Sequence, residues 1–285
     1  MLYIGCPMWG YKEWVGEFFP PRTPQRDFLR LYSRKLTTVE GNTTFYAIPA
    51  AETVARWRAE TPETFRFCFK IPRSISHTPD LENHRQETFF FIERMRGLGE
   101  RLGTMFLQLP PAFSPVQTTQ LRSFLEFWPA DVRLAVEVRH ADFFEAEHAE
   151  ALNKLLSEYK VARVLMDTRP IRVGPGEEQR VLQARERKPD LPLQVAITTD
   201  LTFVRYIGNP NMDVNNPFLE TWARQLAQWL KQKVTAYVFC HCPFEIHSPA
   251  ICFALYERIR ALASLHPLPW QPERLDSGPE QGRLF

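Results

Sequence analysis

No stretch of the 285-residue chain approaches the roughly 20 consecutive apolar residues that a helix needs to cross a bilayer, so no membrane partner is expected. No block of one charge sign stands out either. With 35 Lys and Arg against 33 Asp and Glu, the net charge is +2, and the bulk electrostatics announce neither nucleic acid nor a lipid surface. The opening "MLYIGCPMWG" lacks a basic n-region and a signal-type apolar core, and it reads as the first strand of a mature cytoplasmic protein. The five cysteines are odd in number and lie in segments that read as strands and helix, which argues for reduced thiols and against a disulfide frame. Missing too is a glycine-rich dinucleotide turn: "GCPMWGYKEW" has two glycines but no G-x-G-x-x-G opening a helix.

What is present is a periodic signal in an ordinary globular mix, 44% hydrophobic and 24% charged. Strand-like runs recur as "LYIG", "LTTVE", "FRFCFKI", "TMFLQL", "LAVEVR", "ARVLMD", "TFVRYIG" and "AYVFCH", each followed by a helix-like stretch. Thr23-Pro24, Asn216-Pro217 and Ser248-Pro249 each place a cap residue before a first-turn proline. Segment 217–231 then carries Phe218, Leu219, Trp222, Leu226, Trp229 and Leu230 at helical spacing, and 146–159 does the same with Leu152, Leu155, Leu156 and Tyr159. A sixth helix, somewhere in 176–188, is weakly marked. The pattern predicts an α/β fold, a single (β/α)8 TIM barrel of eight parallel strands over residues 1–266, followed by a proline-rich tail at 267–285 on the surface or without order.

Polar groups close the predicted strands at Glu40, Lys70, Gln108, Glu137, Asp167, Arg205 and His241, about one strand–helix unit apart. Side chains alternate along a strand, so in "FRFCFKI" the phenylalanines and Ile71 would face the helices and leave Lys70 facing the axis. In "LAVEVR", Val136 and Val138 would face outward, and Glu137 and Arg139 inward. The whole set would converge on the C-terminal rim, where barrel enzymes carry their active sites.

The blocks "YIGCPMWGYKEWVGEFFP", "VEGNTTFYAIP", "WRAETPETFRFCFKIPRSISH", "LGTMFLQLPPAF" and "LAVEVRHADFF" resemble the YecE-like family, a domain of unknown function, in the family's usual order and over most of the chain. The resemblance implies a TIM barrel and no established activity. The matching motif positions are Trp9, Glu40, Asn42, Thr44, Phe45, Tyr46, Lys70, His77, Gln108, Glu137, Arg139 and Arg205. The later blocks depart from the common pattern. Where the family often has Arg-x-His-Gly-Arg, "RYIGNP" keeps Arg205 and Gly208 but carries Ile207 and Asn209, and His241-Cys242 replaces a pair of asparagines.

These residues give the following expectations. Lys70, Arg139 and Arg205 would bind a small or terminal anionic group, a phosphate or carboxylate. Glu40 and Glu137 would act as an acid–base pair, and Asp167 would orient a basic neighbour. Asn42, Gln108 and His241 would hydrogen-bond the substrate, and Trp9, Phe45 and Tyr46 would stack on it. Thr44 and His77 join the ligand-binding candidates through the family motif. Lys70 also has a Schiff-base reading, should desolvation lower its pKa. The reading leans toward an enzyme, a hydrolase, lyase or isomerase, with no cofactor. One alternative is a metal-dependent, DNA-repair-nuclease-like barrel using magnesium, manganese or zinc through Glu40, Glu137, Asp167 and the histidines. Another is a barrel that binds a metabolite or nucleic acid without turnover. Nucleic acid is the less favoured partner, and the sequence assigns no oligomeric state. In "CHC" at 240–242, Cys240 and Cys242 would point away from His241 and chelate nothing with it. The charged stretch between the sixth and seventh strands would be a lid over the rim or a mobile insertion.

Overall fold

Alternation is what these short strands use to build two apolar layers. The computed structural model describes residues 1–173 and 179–270. Among them are eight strands: β1 (Leu2–Gly5), β2 (Thr38–Gly41), β3 (Arg66–Phe69), β4 (Met105–Gln108), β5 (Leu134–Glu137), β6 (Ala162–Asp167), β7 (Leu201–Ile207) and β8 (Thr235–His241). The longer helices span Ala51–Glu60, Arg85–Arg96, Thr118–Phe127, Ala146–Glu158, Gln179–Arg187, Met212–Lys231 and Ser248–Arg260. On the helix-facing side of β3, Phe67 and Phe69 stack on each other at 5.7 Å, and Trp57 of the Ala51–Glu60 helix stacks on Phe69 at 5.6 Å. Burying each such ring is worth about 1.5–3 kcal/mol. Val136 and Val138 join the same outer core. The opposite face of the strands gathers a second cluster that includes Tyr3, Cys68, Phe106, Ala135, Phe203 and Phe239.

All the strand pairings are parallel, but they do not make one closed ladder. Six strands form a sheet in the order β1-β8-β7-β6-β5-β4, while β2 and β3 form a separate pair. The expected continuous closure is therefore not found, and the reason lies in how the two seams are bonded. Between β1 and β2, the Ile4 amide donates to the Thr37 side chain at 2.8 Å. The Tyr32 hydroxyl takes the Cys6 amide at 2.7 Å and donates to the Thr38 carbonyl at 2.9 Å. Side chains thus replace part of a ladder. The strands are close nonetheless, since a Cβ on Gly5 would lie 1.9 Å from the Thr38 carbonyl oxygen, and only glycine fits there. At the β3–β4 edge, Gly103 donates to Phe67 at 2.8 Å and Ile71 to Phe106 at 3.0 Å, too sparse for a ladder.

Two smaller expectations also change. The helix expected to start at Pro217 begins at Met212, with the Asn211 side chain accepting from the Asp213 amide at 2.9 Å. The buried Asn215 side chain ties down that first turn through the Asn209 amide and the Asn209 and Asn211 carbonyls. Pro217 is tolerated because the carbonyl it leaves unbonded belongs to Asp213, an exposed residue open to water. The tail does not leave the domain at 266: Leu268 is buried, and Trp270 packs edge-on against Phe18 at 4.8 Å. The rest of the expected tail, 271–285, lies outside the described residues, as do 174–178 of the charged insertion.

Candidate functional site

Arg205, on β7, has its guanidinium 5.4 Å from the centre of the Phe106 ring, at the inner apolar cluster. Its guanidinium gives a fork to Glu40 of β2, Nε to Oε2 and Nη2 to Oε1, both 2.8 Å. It also donates from Nη1 to Glu137 of β5 at 2.6 Å. Arg139 Nε donates to the other Glu137 oxygen at 2.7 Å. Asn42 Nδ2 donates to Glu40 Oε1 at 2.8 Å, and His241 Nε2 lies 3.2 Å from Glu40 Oε2. An ionised carboxylate only accepts, so this bond fixes the His241 proton on Nε2. Every oxygen of both buried carboxylates is occupied.

Burial by itself would raise Glu40, but the Arg205 guanidinium and then His241 outweigh it and hold the carboxyl well below the usual range. Burial opposes the ionisation of Glu137 too, yet Arg205 and Arg139 bring it down to about 2. Neither glutamate keeps a proton to give near neutral pH, so the expected acid–base division between them is not what this arrangement supplies. Arg205, 3% exposed and bonded on three nitrogens, is a hub and not an open anion ligand.

Lys70, one residue past β3, is different. It is 9% exposed, and its Nζ rests 3.7 Å from the centre of the Phe45 ring. Among the described residues no acceptor is hydrogen-bonded to it. Burial first, and then the nearby Arg205 charge, lowers it to about 7. His77 packs edge-on against the same Phe45 ring at 5.0 Å, and burial and Lys70 push it down to about 4.

The other expected residues divide. Gln108 pairs in register with Glu137 on the inward side of β4. Thr44 is structural, its hydroxyl bonded to the Gly41 and Lys70 carbonyls. Trp9 packs edge-on against Trp57 and Phe67, and together with the exposed Tyr46 it also lines a cavity of about 440 Å3 that reaches Glu40. Asp167 lies apart from the set. Its carboxylate does hold a basic neighbour, Arg169, at 2.8 and 2.9 Å, but it also takes the Trp222 indole N–H at 2.8 Å, on the helix side of the sheet. It shares a face with Leu165 of the outer core, while Val164 belongs to the inner cluster. Cys240 and Cys242 likewise face the outer core, away from His241, and no disulfide forms among the five cysteines, all of them within the described residues.

Two groups were not anticipated. Lys188 follows the Gln179–Arg187 helix, and burial, then Arg205, lowers it to about 8. Glu245, just past β8, is raised to about 7 by burial against the opposing Ser248 hydrogen bond. With His241 and Arg180 they line a second cavity of about 480 Å3. The only sequence signal for Lys188 was its place in the charged insertion; Glu245 had the weaker one of closely following a strand end.

The family model described as "Protein of unknown function DUF72" matches residues 3–273. The chain belongs to the DUF72 family. The UPF0759 protein YecE of Escherichia coli (strain K12) is 36% identical over 276 residues, covering 96% of this chain and 98% of that protein. The UPF0759 protein YunF of Bacillus subtilis (strain 168) is 26% identical over 67% of this chain and 68% of its own. Among solved structures, the DUF72 protein EF0366 of Enterococcus faecalis V583 superposes with a TM-score of 0.70 at 17% identity, covering 97% of this chain and all of its own. The DUF72 protein TM1631 of Thermotoga maritima MSB8 gives 0.68 at 22%, covering 92% and 98%. At these identities the likeness shows a shared DUF72 fold.

Proposed function

We propose that this DUF72 protein binds a small or terminal anionic group, a carboxylate or phosphate, at the C-terminal ends of its strands, and acts on it as an enzyme. One observation carries the reading: Lys70 is buried against an aromatic face with no hydrogen-bonded acceptor among the described residues, beside carboxylates that are already fully bonded. The charge ledger points the same way. Glu40 and Glu137 balance Arg205 and Arg139, and Glu245 lies in the same cavity as Lys188, which leaves a protonated Lys70 without a carboxylate of its own among the described residues. A ligand anion supplies the counter-charge. Arg139 uses only Nε on Glu137 among the described residues, so its terminal nitrogens can form the fork.

In this reading the eight strands act as a (β/α)8 barrel with a polar mouth. Supporting it are the inner apolar cluster, drawn from seven of the eight strands, and the hydrogen bonds that cross both seams. Lys70, which titrates near neutrality, takes the proton-carrying role first given to the glutamate pair. The metal-dependent alternative has less support, because a cation at Glu40 and Glu137 would have to displace Arg205 from both.

Thermal unfolding in added sulfate, against chloride at matched ionic strength, tests the site: chloride controls for screening, and Arg139→Met, which keeps sulfate's general stabilising effect, isolates specific binding. Wild type should gain more stability with sulfate than Arg139→Met, which should remain folded and keep only the general salt effect. Equal shifts in the two proteins would remove the anion site and leave the charges as a structural network.

A further inference from the structure

We propose that Lys70 is a nucleophile that condenses with the carbonyl carbon of a small anionic carbonyl compound, an α-keto or aldehyde acid, to form an imine. The inference rests on the anion-site reading above and names the chemistry at that site. An ammonium ion seeks three acceptors. Lys70 Nζ is given the face of Phe45 at 3.7 Å, and the carboxylates that would attract it are taken: Glu40 by Arg205, Asn42 and His241, Glu137 by Arg205 and Arg139. Burial, and then the Arg205 charge, favour the uncharged amine against the opposing pull of Glu137, so the free base is present at neutral pH. Phe45 holds the nitrogen in place without tying up its lone pair in a hydrogen bond. Arg139, with unbonded terminal nitrogens among the described residues, is suited to hold the ligand's acid group beside it.

The step balances. The amine lone pair attacks the carbonyl carbon while the C=O π electrons move to oxygen. One amine proton passes to that oxygen, giving a carbinolamine. The hydroxyl then leaves with the second amine proton as water, and the C=N bond closes. Amine and carbonyl become imine and water, with no oxidant or reductant. The resulting imine withdraws electrons from the adjacent carbon, which is what lyase or isomerase chemistry next to a carbonyl requires.

Reductive trapping tests this directly. The full-length protein is incubated at neutral pH with glyoxylate or pyruvate and sodium cyanoborohydride, and the modified residue is mapped by mass spectrometry. The expected result is one saturating adduct per chain, on Lys70, slowed by sulfate and slowed at least about tenfold in Arg139→Met, in which the anion loses its charge-assisted fork. Lys70→Arg and Lys70→Met should both abolish it, and circular dichroism should show both folded. Adducts spread over surface lysines at a rate unchanged by Lys70→Arg, or a saturating adduct on Lys188, would overturn the proposal. If sulfate stabilises wild type more than Arg139→Met while Lys70 stays unlabelled, the imine is wrong and the anion site stands. If Lys70 is labelled as fast by uncharged acetaldehyde as by glyoxylate, the nucleophile stands and the anionic substrate class is wrong.

Discussion

The two sides of the rim differ in one respect: the Arg205 side is closed and the Lys70 side is open. Around Arg205, three guanidinium nitrogens, two carboxylates, an amide and an imidazole satisfy one another within 2.6–3.2 Å. Around Lys70, a buried amine meets the face of Phe45, the ring that His77 packs against edge-on, and burial and then the Arg205 charge outweigh the pull of Glu137. Both sides are buried and charged, yet only the second has an interaction left to make. A functional site is better sought where a charge has been desolvated and left wanting than where charges are densest.

The contrast can be broken from the closed side first. Arg205→Met strands two buried carboxylates and should cost about 3–5 kcal/mol in urea unfolding. Arg205→Lys keeps a charge but not the fork, and should recover only part of that loss. The pH profile should follow. Glu137 has a folded pKa of about 2 against an ordinary 4.5, so its contribution is present above 4.5 and lost as pH falls toward 2. His241, lowered to about 4 from 6.5, adds a loss as pH falls through that interval, because the unfolded chain takes up the proton first.

Asp167→Asn sharpens the comparison with a carboxylate from the other face of the sheet. Losing charge-assisted bonds to Arg169 should cost about 1–3 kcal/mol and leave the sulfate-specific thermal shift unchanged. The effect of opposite sign is expected at Lys70. Lys70→Met keeps much of the volume and removes a desolvated amine, so the variant should be more stable than wild type at pH 7, by a margin that shrinks as pH rises toward 10.5. In wild type, Lys70 makes stability rise between pH 7 and 10.5, where the unfolded chain holds the proton and the folded one does not. The variant should lose that component of the slope.

Where alternation was strong, the sequence was legible. Val136 and Val138 around Glu137, Val204 and Tyr206 around Arg205, and Cys240 and Cys242 around His241 mark the helix-facing side and leave the charged residue inside. In β6, "ARVLMD", apolar residues occupy both faces, so parity carries no signal, and Asp167 lies on the helix side instead of at the expected inward position. Lys188 and Glu245 act through tertiary proximity from segments without periodicity, and nothing local separates Lys188 from its charged neighbours. The open seams were unreadable for a related reason. They depend on the Tyr32 and Thr37 side chains bonding across strands, which a pattern of apolar positions does not encode. At the helix ending in Lys231, Asn211 outcompeted the more conspicuous Asn216-Pro217 signal.

Lys70 has no hydrogen-bonded acceptor among the described residues, and calorimetry of sulfate binding at pH 8 tests most directly whether a ligand anion supplies one. Sulfate does not titrate there, so any proton exchange belongs to the protein. Titrations in buffers of different ionisation enthalpy should reveal an uptake approaching about one proton per bound sulfate, as the anion draws Lys70 back to its charged form. Lys70→Met should lose most of that uptake. Binding heats independent of buffer, or the same uptake in Lys70→Met, would contradict the account.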